Sequence, residues 1–392
     1  MTAALPNIKM ADFNVQEMVG EGSFSAVFKV TSRSHNTTKL SGTFALKCPK
    51  TSDLSSSLRE QEHETESAID DLLSEASILA RLDHKNVIKA MGVSTLPAML
   101  LLELLECTLE DRINYWREER KASRRHRRNA IVPSCWTRQG MNRSLKDFRN
   151  RTEGVVRGIA SGLEYLHSQN IILRDLKPQN IGFDSRGEVK IFDFGFACEV
   201  NDMEERQNLA GSIRYMPPET LQVAAMEEEG QQGGRDANNH LTEEGLPCTF
   251  ATDVYSFGIV LWEIATLEKP FSALMLKNRK LSPDVIIFKH VLQKGYRPKT
   301  RKILNTQYRS LVRECWDYRP IARPSFSSIC QTWLPQIYPS EELFSSTISK
   351  KKSRSSHRCK NRYDQGISLS TQSMSSSVDD ASQNSTNSSP AQ

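Results

Sequence analysis

The stretch ILRDLKPQNIGF at residues 172–183 combines an acid, a base and an amide around a proline. Asp175 could accept a proton from an attacking hydroxyl group, Lys177 could neutralise negative charge, and Asn180 could bind a magnesium ion. These are tasks that phosphoryl transfer requires. A solvated polar turn is the alternative interpretation, and these residues alone do not decide between the two.

A glycine-rich turn lies near the start of the chain, in GEGSFSAV at residues 20–27. Gly20 and Gly22 carry no Cβ, so backbone N–H groups in such a turn can approach phosphate oxygens closely. Alone, this pattern is more typical of a plain hairpin. Further along, Lys47 lies among apolar residues in FALK and needs either a partner or a surface position. Glu75 is the candidate partner.

The elements that would position these residues follow from hydrophobic patterning. Residues 13–30 predict a strand, a glycine turn and a returning strand, and residues 42–49 predict a third strand. Apolar residues at helical spacing predict a helix over 66–82, which would carry Glu75. A continuous apolar run predicts a buried strand at 97–105.

From about residue 145 onward most segments are predicted to be helical. The sequence DVYSFGIVLWEIATL at 253–267 is apolar nearly all round, which predicts a central buried helix. Polar composition and weak periodicity predict surface insertions at 117–143 and 222–250. The Ser-rich segment 366–392 has too few large apolar residues to offset its ordering entropy and is predicted to be disordered.

The composition is that of an ordinary globular protein, with 38% hydrophobic and 25% charged residues. The net charge of +5 arises from two basic patches, 117–128 and 350–362, on a body that is otherwise net negative. This distribution argues against direct binding of nucleic acid. The basic patches are candidates for binding acidic partners or import factors, and a solvated surface is the alternative interpretation of both.

The eight cysteines are scattered without a CxxC pair, which indicates free thiols in a reducing compartment. No signal peptide and no membrane span are expected. We therefore expect an intracellular location in the cytoplasm, with the nucleus as an open alternative.

The candidate motifs occur in a specific order. GxGxxSxV is followed by the strand residue Lys47, the helix residue Glu75, RDLKPxN, DFG with Asp193, and PPE at 217–219. This order resembles the signature of protein kinases. A late CWDYRPIARPSF motif strengthens the resemblance, which implies that Arg323 of this motif pairs with Glu219.

The resemblance covers roughly residues 13–335 and implies an α+β, bilobal protein-kinase fold. A small N-terminal lobe of antiparallel sheet plus one helix would span about 13–105, and a larger, mainly helical lobe about 106–335. Residues 1–12 would form an N-terminal extension, and 336–392 a basic, Ser-rich tail.

ATP and Mg²⁺ are the implied cofactors, and each matching residue takes a role from the family. Asp175 would be the catalytic base, Lys177 would contact the γ-phosphate, and Lys47 would hold the α- and β-phosphates and pair with Glu75. The implied Mg²⁺ ligands are Asn180 and Asp193. Leu102 is the implied gatekeeper of the nucleotide pocket. The implied nucleotide-binding residues are Val19, Gly20, Glu21, Gly22, Ser25, Val27, Ala45, Lys47, Leu102, Glu103 and Leu105.

Lys177-Pro178-Gln179 and Ser212 resemble Ser/Thr kinases, whereas DVYSFGIVLWEI resembles their tyrosine-kinase-like group. The implied activity is transfer of the γ-phosphoryl group of ATP to Ser or Thr of protein substrates in intracellular signalling. A pseudokinase that acts as a scaffold or allosteric partner is the alternative, and the intact motif set argues against it. A tyrosine or dual-specificity kinase is a third interpretation, which Lys177 opposes.

Two residues depart from the family pattern. Leu173 stands where the family usually has histidine, and we interpret it as a packing substitution against Phe194. Gly182 aligns with the floor of the adenine pocket, where the family usually has leucine, and it predicts a roomier pocket.

A regulatory hypothesis arises from Arg174, which in the family pairs with a phosphorylated residue of the activation loop. Residues 196–211 contain no Ser, Thr or Tyr. Asp202, Glu204 or Glu205 could instead supply a standing negative charge to Arg174. A solvated acidic loop is the alternative.

Overall fold

A five-stranded antiparallel sheet forms the N-terminal part of the protein in the computed structural model, which describes residues 5–22, 25–33, 40–50, 58–127, 138–207, 210–228, 248–277 and 280–340. The strand order is β1-β2-β3-β5-β4. Their bounds are β1 Phe13–Glu21, β2 Ser25–Ser32, β3 Thr43–Pro49, β4 Ala90–Thr95 and β5 Ala98–Glu103. The predicted glycine-turn hairpin, third strand and buried strand are confirmed.

Strand β4 was not expected from its sequence, AMGVST, which lacks regular alternation. Its contact with the chain preceding β1 explains the glycine. A Cβ at Gly92 would come within 3.0 Å of Ile8. Asn7 forms a parallel bridge to Val93, so the N-terminal residues add a short further edge to the sheet.

One long helix, α1 (Leu58–Leu79), packs on the sheet. Leu72, Ala76 and Leu79 are buried at helical spacing, and Glu75 lies between them on the same buried face. The prediction of a helix at 66–82 is therefore confirmed, but its bounds differ. The observed helix begins earlier, at Leu58, and ends three residues sooner, at Leu79.

The remaining elements are mainly helical. They are β6 Cys107–Thr108, α2 Leu109–Arg127, α3 Arg138–Ser168, β7 Ile171–Ile172, β8 Ile181–Phe183, β9 Val189–Ile191, β10 Cys198–Glu199, α4 Pro218–Glu228, α5 Phe250–Thr266, α6 Ser272–Lys277, α7 Pro283–Lys294, α8 Thr306–Cys315, α9 Phe326–Ser328 and α10 Leu334–Ile337. The α+β architecture expected from the resemblance is confirmed.

Helix α5 lies at the centre of this helical part. Its residues from Thr252 to Thr266 are all buried, as its apolar composition predicts. Thr249 caps the helix by accepting a hydrogen bond from the Ala251 N–H. Polar Asp253 is also fully buried, so it requires hydrogen-bond donors from a neighbouring segment.

Both predicted insertions are partly helical. Helix α2 continues through residues 117–127, and α4 includes residues 222–228, which the polar composition had assigned to a loop. The end of the first insertion, 138–143, belongs to α3, and the end of the second, 248–250, leads into α5. Residues 128–137 and 229–247 lie outside the described residues.

Residues 1–338 form one compact unit, and 339–392 form a second, of which the structure describes only residues 339 and 340. The predicted disorder of 366–392 thus falls outside the described residues. Within the described part of the chain, no helix has the length and apolarity needed to cross a membrane.

Candidate active site

Lys47 connects the sheet to the helical part of the protein. Its Nζ lies 2.6 Å from Glu75 Oε2 on α1 and 3.0 Å from Asp193 Oδ1 of the DFG motif. The other oxygen of Glu75 accepts a hydrogen bond from the Phe194 N–H at 3.1 Å. The expected Lys47–Glu75 pair is confirmed, and it extends to the DFG segment.

The charge state of Lys47 follows from these contacts. Burial alone lowers the pKa of its ammonium group, but the carboxylates of Glu75 and Asp193 outweigh burial and hold that pKa above its usual value. Lys47 therefore keeps its positive charge at neutral pH.

Asp175 is buried, and hydrogen bonds hold both of its carboxylate oxygens. Oδ2 lies 2.5 Å from Lys177 Nζ and 3.1 Å from Asn180 Nδ2. Oδ1 accepts from the Ser212 N–H at 2.9 Å. Lys177 also donates to Ser212 Oγ at 3.1 Å. The structure thus brings together the acid, base and amide of the RDLKPxN stretch with the serine that precedes PPE.

Helix α5 holds this loop through Asp253, a residue whose individual role the sequence patterns did not identify. Its carboxylate accepts hydrogen bonds from the N–H groups of Leu173 and Arg174, both at 2.9 Å. His167 Nε2 lies 2.9 Å from the same carboxylate. An acid in the first turn of a mainly apolar helix was the available sequence signal for this anchor.

Asn180 and Asp193 present the oxygen atoms that Mg²⁺ prefers. Asn180 uses its Nδ2 for Asp175, which leaves Oδ1 as an acceptor, and Asp193 is partly exposed. The two segments are adjacent because the Phe192 N–H donates to the Asn180 carbonyl at 3.0 Å. These residues fit a magnesium ion that would complete its coordination with water and phosphate oxygens.

Sheet pairing places the expected nucleotide residues together. Ala45 on β3 pairs with Leu102 on β5, and Val27 on β2 pairs with Lys47. At the glycine turn, the Gly22 N–H donates to the Ser25 carbonyl at 2.8 Å, and Gly20 pairs with Val27. The remaining expected residues, Val19, Glu21, Glu103 and Leu105, lie on β1, on β5 or just after β5.

The predicted enlargement of the pocket at Gly182 is wrong. A Cβ at Gly182 would come well within 3.0 Å of a terminal methyl group of Leu105 and to 3.2 Å from the ring of Phe192. Both side chains therefore occupy the space that a larger residue at 182 would fill. The glycine allows their close approach and does not leave a void.

Leu173 is fully buried in the same hydrophobic cluster as Phe194. This location agrees with the interpretation of Leu173 as a packing residue.

Arg174 lies beside the segment that follows DFG. Its Nη2 is 2.8 Å from Glu205 Oε2, and it also donates to the carbonyl oxygens of Phe196 and Glu205. Of the three acids that the sequence offered, the structure pairs Glu205 with Arg174.

Arg323 and Glu219 form the pair that the resemblance implied. The two guanidinium nitrogens lie 2.5 and 2.8 Å from the two carboxylate oxygens. Nearby, Tyr215 OH donates to Glu263 Oε2 at 2.8 Å, and both residues are buried.

A family model described as the protein kinase domain matches residues 13–334, which is most of the chain. The chain belongs to the protein kinase family. Lys47, Asp175 and Asp193 all lie within the matched range, and the protein kinase family generally uses ATP.

Three relatives illustrate where this kinase lies within the family. It is 28% identical over 345 residues to the serine/threonine-protein kinase CTR1 of Arabidopsis thaliana, covering 84% of this chain and 32% of the relative. It is 33% identical over 171 residues to the serine/threonine/tyrosine-protein kinase HT1 of the same plant, covering 44% of this chain and 36% of the relative.

A third relative is the dual specificity protein kinase shkC of Dictyostelium discoideum, 25% identical over 331 residues, covering 83% of this chain and 51% of the relative. These relatives agree with the expected resemblance to the tyrosine-kinase-like group of Ser/Thr kinases. The chain spans about a third to a half of the length of these curated relatives.

Proposed function

We propose that this kinase transfers the γ-phosphoryl group of Mg-ATP to serine or threonine side chains of protein substrates. One observation carries the proposal: the buried carboxylate of Asp175 is oriented by Lys177, Asn180 and the Ser212 N–H. A carboxylate oriented in this way can accept the proton of an attacking hydroxyl group.

The proposed roles of the chain's own residues follow from their contacts. Asp175 would orient the substrate hydroxyl group and accept its proton. Lys177, 2.5 Å from Asp175, would neutralise charge on the transferred group. Lys47 would hold the nucleotide phosphates, with Glu75 and Asp193 keeping its ammonium group in position and charged.

Asn180 and Asp193 would hold the metal ion, which when bound neutralises charge on the phosphate oxygens. Ala45, Val27 and Leu102 would contact the adenine through the β-sheet surface. The purpose of this arrangement is positioning, which is the main source of rate enhancement in phosphoryl transfer.

Preference for serine and threonine rests on Lys177, whose Nζ bridges Asp175 and Ser212. The relatives' names include serine/threonine and dual-specificity kinases, so tyrosine is a second acceptor to be measured.

The test is transfer of labelled γ-phosphate from Mg-ATP to generic protein substrates, followed by phosphoamino acid analysis. We compare wild type with Asp175→Asn and Lys47→Met, and with Asp83→Asn as a matched control on an exposed acid. We expect phosphoserine or phosphothreonine with the wild type and the control. Loss of the base should lower the rate about 10²–10⁴-fold.

A pseudokinase scaffold would give a different pattern. The wild type would bind ATP but transfer no more phosphate than Asp175→Asn, and that result would overturn the proposal. No observation in the site favours this alternative, because the residues that would touch phosphate or metal are in place.

A further inference from the structure

A cationic cavity lies in the helical part of the protein, separate from the active site. Its volume is about 370 Å³, and it lies where the loop after α7 meets α8. Its lining includes Arg297, Lys299, Thr300, Arg301, Arg313 and Trp316. The candidate active site uses none of them.

Arg297 is held rigidly at the wall of this cavity, which we call the basic pocket. Its Nε donates to the Trp316 carbonyl at 3.0 Å and its Nη1 to the Tyr296 carbonyl at 3.1 Å. Its guanidinium carbon lies 5.1 Å from the centre of the buried Tyr255 ring. Nη2 makes no hydrogen bond within the described residues, so it remains a donor for a ligand.

A second arginine of the pocket is also held by a hydrogen bond. Arg313 on α8 donates through Nε to Thr300 Oγ1 at 3.1 Å, which leaves both terminal nitrogens available within the described part of the chain. The backbone of the loop that contains Lys299 is also anchored, because Trp262 Nε1 donates to the Lys299 carbonyl at 3.0 Å. Donors that are already in position lose little entropy when a ligand binds.

Lys299 and Arg301 add two exposed charges, which brings the pocket to four cations. Among the residues that the structure describes, none of the four lies within 4.0 Å of a carboxylate. Lys302, next in the chain, does form such a pair with Glu268. The pocket thus concentrates positive charge that the fold does not neutralise, and it favours an anion.

We propose that the basic pocket binds the phosphoryl group of a phosphoserine or phosphothreonine side chain in a polypeptide. The planar donors of two oriented arginines match the tetrahedral oxygens of a phosphate monoester. The cavity is at the small end of ligand-binding pockets, which suits one phosphorylated side chain better than a nucleotide.

Two exposed apolar residues lie close in sequence to the pocket, Leu304 and Tyr318. A peptide has residues next to the phosphorylated one that can contact such apolar side chains, whereas a free phosphate ion has none. Trp316, the aromatic residue of the pocket, is buried and not available for insertion into a lipid surface. Binding to a phospholipid headgroup is an outcome that the test distinguishes.

The test measures binding of a degenerate peptide mixture with central phosphoserine, and of one with central phosphothreonine, by fluorescence anisotropy. The same mixtures with unmodified serine and threonine are the controls. The full chain is used with a saturating non-hydrolysable ATP analogue, which occupies the nucleotide site and prevents phosphoryl transfer to the unmodified peptides. We expect phosphate-dependent binding that weakens with salt.

The pocket variant is Lys299→Gln/Arg301→Gln, because both side chains are exposed and their loss should not impair folding. The matched control, Lys85→Gln/Lys289→Gln, removes two exposed cations elsewhere. We expect the pocket variant to bind about tenfold or more weakly, and the control to bind like wild type. Basal transfer activity should be the same in all three proteins.

Several outcomes would overturn the proposal. The phosphorylated and unmodified mixtures could bind equally, or the pocket variant could bind like the control. Free phosphoserine could compete as well as the peptides, which would indicate a small-anion site. Binding only to phosphatidylcholine vesicles that contain phosphatidylinositol bisphosphate would indicate a lipid site. Because binding requires no turnover, failure here leaves the proposed transfer activity untouched.

Discussion

The carboxylate of Glu205 lies 2.8 Å from Nη2 of Arg174, the residue that precedes Asp175. Arg174 is almost fully buried, and its guanidinium group also donates to the carbonyl oxygens of Phe196 and Glu205. Glu205 therefore supplies a permanent negative charge to a buried cation next to the proposed catalytic base.

The first prediction is that Glu205→Gln lowers kcat/KM by about two- to fivefold, because Glu205 is about half exposed and such a pair contributes little. Steady-state kinetics checks it, with Glu204→Gln as the matched control on the neighbouring exposed acid. If mass spectrometry shows that the enzyme is fully active only when Ser212 or Tyr215 carries phosphate, the standing-charge hypothesis is wrong.

Leu173 offers a test of packing. Leu173→Ala should lower the free energy of unfolding by about 2–5 kcal/mol, because it removes fully buried atoms and leaves a cavity in the hydrophobic cluster that also contains Phe194. Leu173→Met conserves volume and should cost less than about 1.5 kcal/mol. Thermal unfolding and kcat are measured together. Equal stability of the two variants would argue against a packing role.

Gly182 should control nucleotide affinity through Leu105. Gly182→Leu places new atoms where the Leu105 side chain lies, so we expect ATP binding to weaken by about tenfold. Calorimetric titration measures it. The double variant Gly182→Leu/Leu105→Ala should regain most of the affinity. A loss that is the same with and without Leu105→Ala would show that the two residues are not coupled.

Arg323 and Glu219 should be important for stability. Glu219→Gln leaves the buried guanidinium of Arg323 without its charged partner, so we expect a loss of about 3 kcal/mol in the free energy of unfolding. Arg319→Ala removes an exposed arginine nearby and should change stability by less than about 0.5 kcal/mol. Chemical denaturation compares the two, and similar losses would contradict the prediction.

The sequence was most informative where the relevant residues are neighbours in the chain. Asp175, Lys177 and Asn180 are six positions or fewer apart, and the loop places all three together. The Lys47–Glu75 pair was predictable because a buried lysine needs a carboxylate. Its extension to Asp193 was not, because it depends on where the DFG segment, 146 residues later in the chain, lies relative to Lys47.

Other features depended on packing between distant segments. The sequence narrowed the partner of Arg174 to three acids, and only the path of the chain after DFG selected Glu205. Gly182 suggested empty space because the spacing of residues along the sequence does not show that the side chains of Leu105 and Phe192 pack against it. Strand β4 has weak propensity and exists because β5 and the chain around Ile8 flank it.

The hydrogen bonds from Leu173 and Arg174 to Asp253 connect the loop that holds Asp175 to the most buried helix of the protein. Functional loops usually open locally at little free-energy cost. Because these two N–H groups are bonded to a fully buried side chain of α5, we predict that they exchange with solvent only when the whole domain unfolds. Catalytic geometry and global stability would then be lost in a single step, and the loop behaves thermodynamically as core.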